Sequence, residues 1–104
     1  MINDPHLKAF NAYNVEIHGA AAHGVYALYD SLGAVTYYGR ASGLGVTIKS
    51  RLKDHLSGRE GRCTQSASYF KQERSQRASE RERELLEEHA RAYGRLPKCN
   101  DRVG

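Results

Sequence analysis

The chain has 104 residues, of which 39% are hydrophobic and 27% charged, and carries a net charge of +4. That length supports one domain around one modest core, and the apolar runs are far too short to cross a bilayer. The charge is uneven: residues 1–39 hold one lysine and three acids, a balance of −2, and residues 40–104 hold fifteen Lys/Arg and nine acids, a balance of +6. Most of those cations are arginine, whose planar fork suits phosphate oxygens. This basic part has the charge of a phosphate footprint, although solvated arginine on any basic protein gives the same balance.

Residues 1–20 read as an N-terminal arm, or as a short helix with Leu7, Phe10 and Tyr13 along one side. Met1-Ile2-Asn3-Asp4 shows no basic patch followed by an apolar stretch, so no secretory signal is expected and the expected location is the cytoplasm. Residues 18–24 are small and form a connection. Val25, Tyr26 and Tyr29 are strand formers, Asp30-Ser31-Leu32-Gly33 supplies turn chemistry, and Val35, Thr36, Tyr37 and Tyr38 resume the strand pattern. Two such runs around a short Gly-containing turn predict a β-hairpin.

Residues 41–45 are a flexible loop. Ile48, Leu52 and Leu56 then recur every four residues, predicting an amphipathic helix that ends at Ser57-Gly58. Gly43 to Ser50 superficially suggests a phosphate loop, but the Gly-to-Lys spacing is wrong for a Walker sequence. Residues 59–65 are expected to be an exposed loop, and Ala67 to Lys71 a third strand. Residues 77–94 contain no Pro or Gly before Gly94 and predict a long helix. Residues 96–100 are expected to leave it as an ordered tail. Cys63 and Cys99 match neither a zinc spacing nor a redox pair and read as two ordinary thiols. The order β-β-α-β-α, after the N-terminal arm, predicts an α/β (α+β) sandwich: a three-stranded, mainly antiparallel sheet flanked by helices. The domain division is 1–20 for the arm and 21–104 for the sandwich.

Three features could carry chemistry. In the long helix, Ala78, Leu85, His89 and Tyr93 fall on one face, and Glu82 lies near its middle. A carboxylate there needs a neutralising partner, such as a metal ion or an arginine. The alternative is local: Ser79-x-x-Glu82 fits a capping box, in which the acid only closes a helix start. In the first helix, Arg51 and His55 lie four residues apart on one side, a pairing common on any surface. In the hairpin, Tyr26 and Tyr37 sit on adjacent strands, where tyrosines usually pack.

In combination these residues resemble the GIY-YIG endonuclease family. Gly24-Val25-Tyr26 resembles the first element and Tyr37-Tyr38-Gly39 the second, with Arg40 where many members carry lysine. Ile48 to His55 resembles the helix in which an arginine is followed four residues later by His or Tyr. Ala78-x-x-x-Glu82-x-x-Leu85-Leu86 resembles the helix bearing the family's essential glutamate, and Pro97-x-x-Asn100 its closing element. The resemblance runs in order over about residues 24–100. Val25 and Tyr38 each replace an isoleucine, and the stretches from Gly39 to Arg51 and from Glu82 to Pro97 are long, so Glu84 and Glu88 remain alternatives to Glu82.

The resemblance implies a metal-dependent endonuclease, a small stand-alone catalytic domain that hydrolyses phosphodiester bonds in DNA, one strand per active site. Its implied catalytic residues are Tyr26, Tyr37, Arg51, His55 and Glu82, with Glu82 also holding one Mg²⁺ or Mn²⁺. Tyr26 or His55 would be the general base. A phenol titrating near pH 10 is a poor base, so nearby cations are expected to lower its pKa. Arg40, Lys49 and Asn100 are the expected substrate-binding positions, Asn100 chiefly by fixing the tail and the site geometry. The expected partner is nucleic acid, with no membrane association, and the expected state a monomer or weak dimer. The alternative is a module of the same fold that binds nucleic acid without cutting it.

Overall fold

The computed structural model describes residues 1–100. The elements run β1 (Lys8–Ala9), α1 (Ala12–His18), β2 (Gly24–Tyr29), β3 (Val35–Ala41), α2 (Ile48–Leu56), α3 (Arg62–Gln65), β4 (Tyr69–Arg74) and α4 (Ala78–Tyr93). The strands form one antiparallel sheet in the order β1-β4-β2-β3. The α+β class is as expected, but the sheet has four strands rather than three. The extra strand comes from the N-terminal segment, where Lys8 pairs with Phe70 and Ala9 with Tyr69. Two residues without alternating apolarity leave no strand signal; their pairing is supplied entirely by β4.

β2 explains the layering. Val25, Tyr26, Ala27 and Leu28 are all buried, with no alternation. That is the pattern of a central strand covered on both faces. Tyr26 and Leu28 join Phe10, Val15, Ile48, Leu52 and Phe70 under α1 and α2. Val25 and Ala27 join Ile2, Tyr38 and Leu85 under α4. β3 is an edge strand, and its outer side is closed by the tail. The Cys99 amide donates to the Thr36 carbonyl at 2.7 Å. The Asn100 side chain accepts from the Tyr38 amide at 2.8 Å and donates to the Tyr38 carbonyl at 3.0 Å. A side-chain amide thus stands in for a further strand and blunts the edge.

Local chemistry sets the helix starts. Asn11 caps α1 by accepting from the Asn14 amide at 2.8 Å. Of the three residues expected to line one side of this segment, Phe10 is buried whereas Leu7 and Tyr13 are exposed. The capping box belongs to α2, where the Thr47 and Ser50 side chains each accept from the other's backbone amide. α4 has none: it begins at Ala78, with Arg77 at the cap position and no side-chain cap bond. Ser79 therefore lies inside the helix, which excludes the capping-box reading of Glu82. On the expected apolar face of α4, Ala78, Leu85 and His89 are buried, while Tyr93 is 70% exposed beyond the core.

Two further expectations are corrected. Residues 59–65 are not simply a loop, because they include the single turn α3, stabilised by packing on α2 rather than by any cap. The cysteines are not free thiols: Cys63 and Cys99 form a disulfide, with Cα atoms 5.7 Å apart. Their sequence separation of 36 residues hides a proximity created by the tail folding back along β3. Elsewhere, Glu73 on β4 receives two bonds from Arg81 on α4, at 2.6 and 3.1 Å, and one from the Asn3 amide at 2.7 Å. Burial alone would raise the Glu73 pKa, but these donors outweigh it and hold the carboxyl below its ordinary range.

Reducing the bridge, or replacing both cysteines by serine, restores entropy to the unfolded chain. The unfolding free energy should fall by about 2–4 kcal/mol, read from urea denaturation with and without reductant. An unchanged midpoint would show that the bridge adds no stability.

Candidate active site

Tyr26 projects from central β2 towards α2, opposite Gly39 of β3. A Cβ on residue 39 would lie 2.4 Å from Tyr26 Cζ, 2.5 Å from its hydroxyl and 2.7 Å from Tyr37 Cε2. The missing side chain is the space that lets the Tyr26 ring lie across the neighbouring strand. Tyr37, two residues before Gly39, shares that face, its ring centroid 6.2 Å from that of Tyr26. Ile48 and Leu52 anchor α2 in the same core, and this carries His55, fully buried, over both phenols. The Tyr26 hydroxyl and His55 Nε2 are 2.8 Å apart, and the Tyr37 and His55 ring centroids 5.1 Å. His55 Nδ1 lies 2.7 Å from the buried Thr64 Oγ1 of α3.

Arg51 sits one turn before His55. Its guanidinium pairs with Asp54 at 3.0 Å and Glu60 at 3.4 Å. It also reaches Tyr26: burial, aided by Tyr37, pushes the Tyr26 phenol well above the usual tyrosine range, while the charge of Arg51 and its hydrogen bond pull the other way. Burial wins. The lowered phenol pKa expected from the sequence is therefore not found, and Tyr26 is held neutral. Lys49, on the first turn of α2, faces α1, where its ammonium pairs with Glu16 at 3.4 Å.

Glu82 approaches β3 from the other side of the sheet. Strand alternation turns Tyr38 and Arg40 towards α4, and Arg40 Nη1 donates to Glu82 Oε1 at 3.3 Å. The Glu82 side chain is 21% exposed, in a shallow depression of about 400 Å³ lined also by Ser79, Arg83 and Leu86. Burial raises the Glu82 pKa and Arg40 opposes this only in part. The alternative acids are engaged elsewhere, Glu84 with Arg81 and Glu88 with the N-terminal amine. The structure thus joins Tyr26, Tyr37, Arg51 and His55 directly. Glu82 and Arg40 form a second group, across edge strand β3 from the first. The larger cleft, about 930 Å³, lies between the hairpin turn and the end of α4 and is lined by none of these six residues.

Among curated proteins none matches the chain. The model of the GIY-YIG catalytic domain matches residues 22–94, from just before β2 to the end of α4. The chain belongs to the GIY-YIG family.

In this GIY-YIG domain the glycine of Tyr37-Tyr38-Gly39 has a steric duty rather than a turn duty. Asn100 spends both ends of its amide on the Tyr38 backbone. Sequence reasoning missed Thr64, Asp54 and Glu60. Asp54 carried a signal, being three residues from Arg51 on one helix. Thr64 and Glu60 carried none: Glu60 lies in the turn before α3, and the four-residue helix that bears Thr64 has no readable period.

One divalent cation fits what Glu82 offers only in a particular form. Among the described residues no three His, Cys, Asp or Glu gather to enclose a metal. A single carboxylate matches Mg²⁺, which keeps several waters and takes few protein ligands.

Gly39→Ala should force the Tyr26 ring out of place and destabilise the fold by about 1–3 kcal/mol, measured by denaturant unfolding; wild-type stability would refute the contact. Tyr26 should also ionise only above its unfolded value, which is near 10. Its folded-state pKa is raised, so its contribution to stability is complete below that value and is lost as pH rises beyond it. Absorbance titration of wild type against Tyr26→Phe should show the difference only at strongly alkaline pH; a phenolate titrating near neutrality in wild type would contradict the burial argument.

Proposed function

We propose that this domain is a metal-dependent endonuclease that hydrolyses phosphodiester bonds in DNA, one strand per engagement. The observation that carries the reading is the buried 2.8 Å contact between the Tyr26 hydroxyl and His55 Nε2, beside the Arg51 guanidinium. A phenol held neutral is a poor base but an effective relay. Tyr26 is fully buried in the free protein, so the relay works once bound DNA opens a path for one water to its oxygen. As that water's oxygen bonds to phosphorus, one of its protons passes to the Tyr26 oxygen and the phenol's own proton passes to His55 Nε2. The P–O ester bond breaks, and the departing oxygen takes a proton from solvent. His55 is the terminal base, of the residue type best suited to accept a proton near neutral pH.

Arg51 would supply positive charge where it develops on the phosphoryl oxygens. Asp54 and Glu60 hold its fork in place. Tyr37 would orient the water or the phosphate through its hydroxyl. Glu82 would hold the Mg²⁺ or Mn²⁺, which when bound relieves charge on the phosphate and the leaving oxygen. The Arg40–Glu82 pair suits this exchange. A half-exposed ion pair is worth about 0–1 kcal/mol, so it opens readily, Arg40 turning to the phosphate backbone and Glu82 to the cation. Lys49 would add to the positive field near the start of α2.

Cleavage should be scored on single-stranded, duplex, flapped and branched DNA, with an RNA control, in Mg²⁺, Mn²⁺ and excess chelator. Glu82→Ala and chelator should each abolish cutting. Arg51→Ala should lower kcat by about 10²–10³-fold. Tyr26→Phe and His55→Gln should lose about 10²–10⁴-fold. DNA binding without metal-stimulated cleavage on any substrate would overturn the enzyme reading in favour of a binding module.

A further inference from the structure

His55 is fully buried, and each of its ring nitrogens faces one hydroxyl: Tyr26 at 2.8 Å on Nε2 and Thr64 at 2.7 Å on Nδ1. A neutral imidazole has one N–H and one bare nitrogen, so these two partners decide the tautomer between them. Only one tautomer serves a relay. If Nε2 carries the proton, it donates to Tyr26 and cannot accept from it. If Nδ1 carries the proton, Thr64 accepts it and Nε2 stands open to the phenol.

Arg51 breaks the symmetry. Its guanidinium lies close enough to Tyr26 to act on the phenol, and a cation favours the oxygen lone pairs turned towards it and the O–H turned away. The phenol's own proton is therefore directed to His55 Nε2, and Nδ1–H is directed to Thr64.

The placement of Thr64 depends on the tail. α3 is a single turn with no side-chain cap, preceded by Gly61 at φ 102°. Its residue Cys63 is bonded to Cys99, which is itself fastened to Thr36 of β3. The next residue, Asn100, holds Tyr38. Contacts thus close a ring from Tyr26 through His55, Thr64, the disulfide and the tail to β3, and through the strand pairing back to β2.

We infer that Thr64 is a positioning residue, whose hydroxyl fixes His55 with Nδ1 protonated and Nε2 open to Tyr26, and that the Cys63–Cys99 bridge holds Thr64 at that post. The inference rests on the relay reading of Tyr26 and His55. It makes the oxidised protein the active form, suited to a setting where disulfides persist.

The test compares wild type, Thr64→Val, Thr64→Ser and the Cys63→Ser/Cys99→Ser double variant. Each is followed by kcat and KM on cleaved DNA and by the His55 tautomer from long-range ¹H–¹⁵N NMR. Thr64→Val keeps the shape and removes the acceptor. It should lower kcat by about 10–100-fold, by analogy with the loss seen when the partner behind a metal-bound histidine is removed, leave KM within about twofold, and shift His55 towards the Nε2–H tautomer. Thr64→Ser should return kcat to within about threefold of wild type, since serine supplies the same acceptor. The double cysteine variant should lower kcat in the same direction as Thr64→Val.

A wild-type His55 protonated on Nε2, or a folded Thr64→Val at wild-type kcat, would overturn the role of Thr64. A folded double cysteine variant with wild-type kcat and tautomer would overturn that of the bridge. Should wild type cut no nucleic acid, the nuclease reading fails by itself, and the tautomers of wild type and Thr64→Val still decide what Thr64 does.

Discussion

The candidate site depends on a phenol being admitted to a space where it would ordinarily not fit. Tyr26 comes from the central strand, and its ring can reach the edge strand only because residue 39 has no side chain. Once there, it is covered by α2 in the free protein, and its hydroxyl finds its partner in a histidine buried at the end of that helix. Desolvation then fixes the protonation state: the neutral phenol is favoured even with a guanidinium alongside. A cation's attraction acts over ångströms in a partly screened setting, whereas removal of water acts on the whole charge of a phenolate. That balance is why a proton relay ending on His55 fits the geometry better than a standing phenolate.

The second organising feature is the division of charge across β3. One face presents the phenols, the imidazole and Arg51; the other presents Arg40 and Glu82. Each group carries its own internal neutralisation, Arg51 with Asp54 and Glu60, and Glu82 with Arg40. On the proposed function, a phosphate and a cation would take the place of those partners. Such pairs keep cations and carboxylates oriented in the free protein, and partly solvated ion pairs of this kind are weak enough to be exchanged.

The tail and the N-terminal segment act as the frame. β1 and the amide of Asn3 fasten the N-terminal segment to β4, and Cys99 and Asn100 fasten the segment after α4 to β3. In a domain of this size, where the buried core is limited, edge closure and a covalent bridge supply rigidity that a larger protein would draw from packing. The strand that bears Gly39 and Tyr37 is thereby held on both its sides.

The sequence alone determined the elements whose signals are local. The hairpin around Asp30–Gly33, the four-residue recurrence of α2 and the unbroken helix formers of α4 each follow from periodicity or turn chemistry. The ordered motifs from Gly24 to Asn100 were enough to indicate the family. Tertiary structure alone decided whatever depends on chain segments distant in sequence. It turned a two-residue stretch with no pattern into β1, brought Cys63 to Cys99, set Thr64 behind His55, and chose the interior position for Ser79 that released Glu82 from a capping role. It also reversed the sign of the Tyr26 shift, since burial is a property of the assembled layers and cannot be read from residues 24–29 in isolation. Periodicity records which face of an element is apolar; it does not record which neighbour covers that face or how dry the contact becomes.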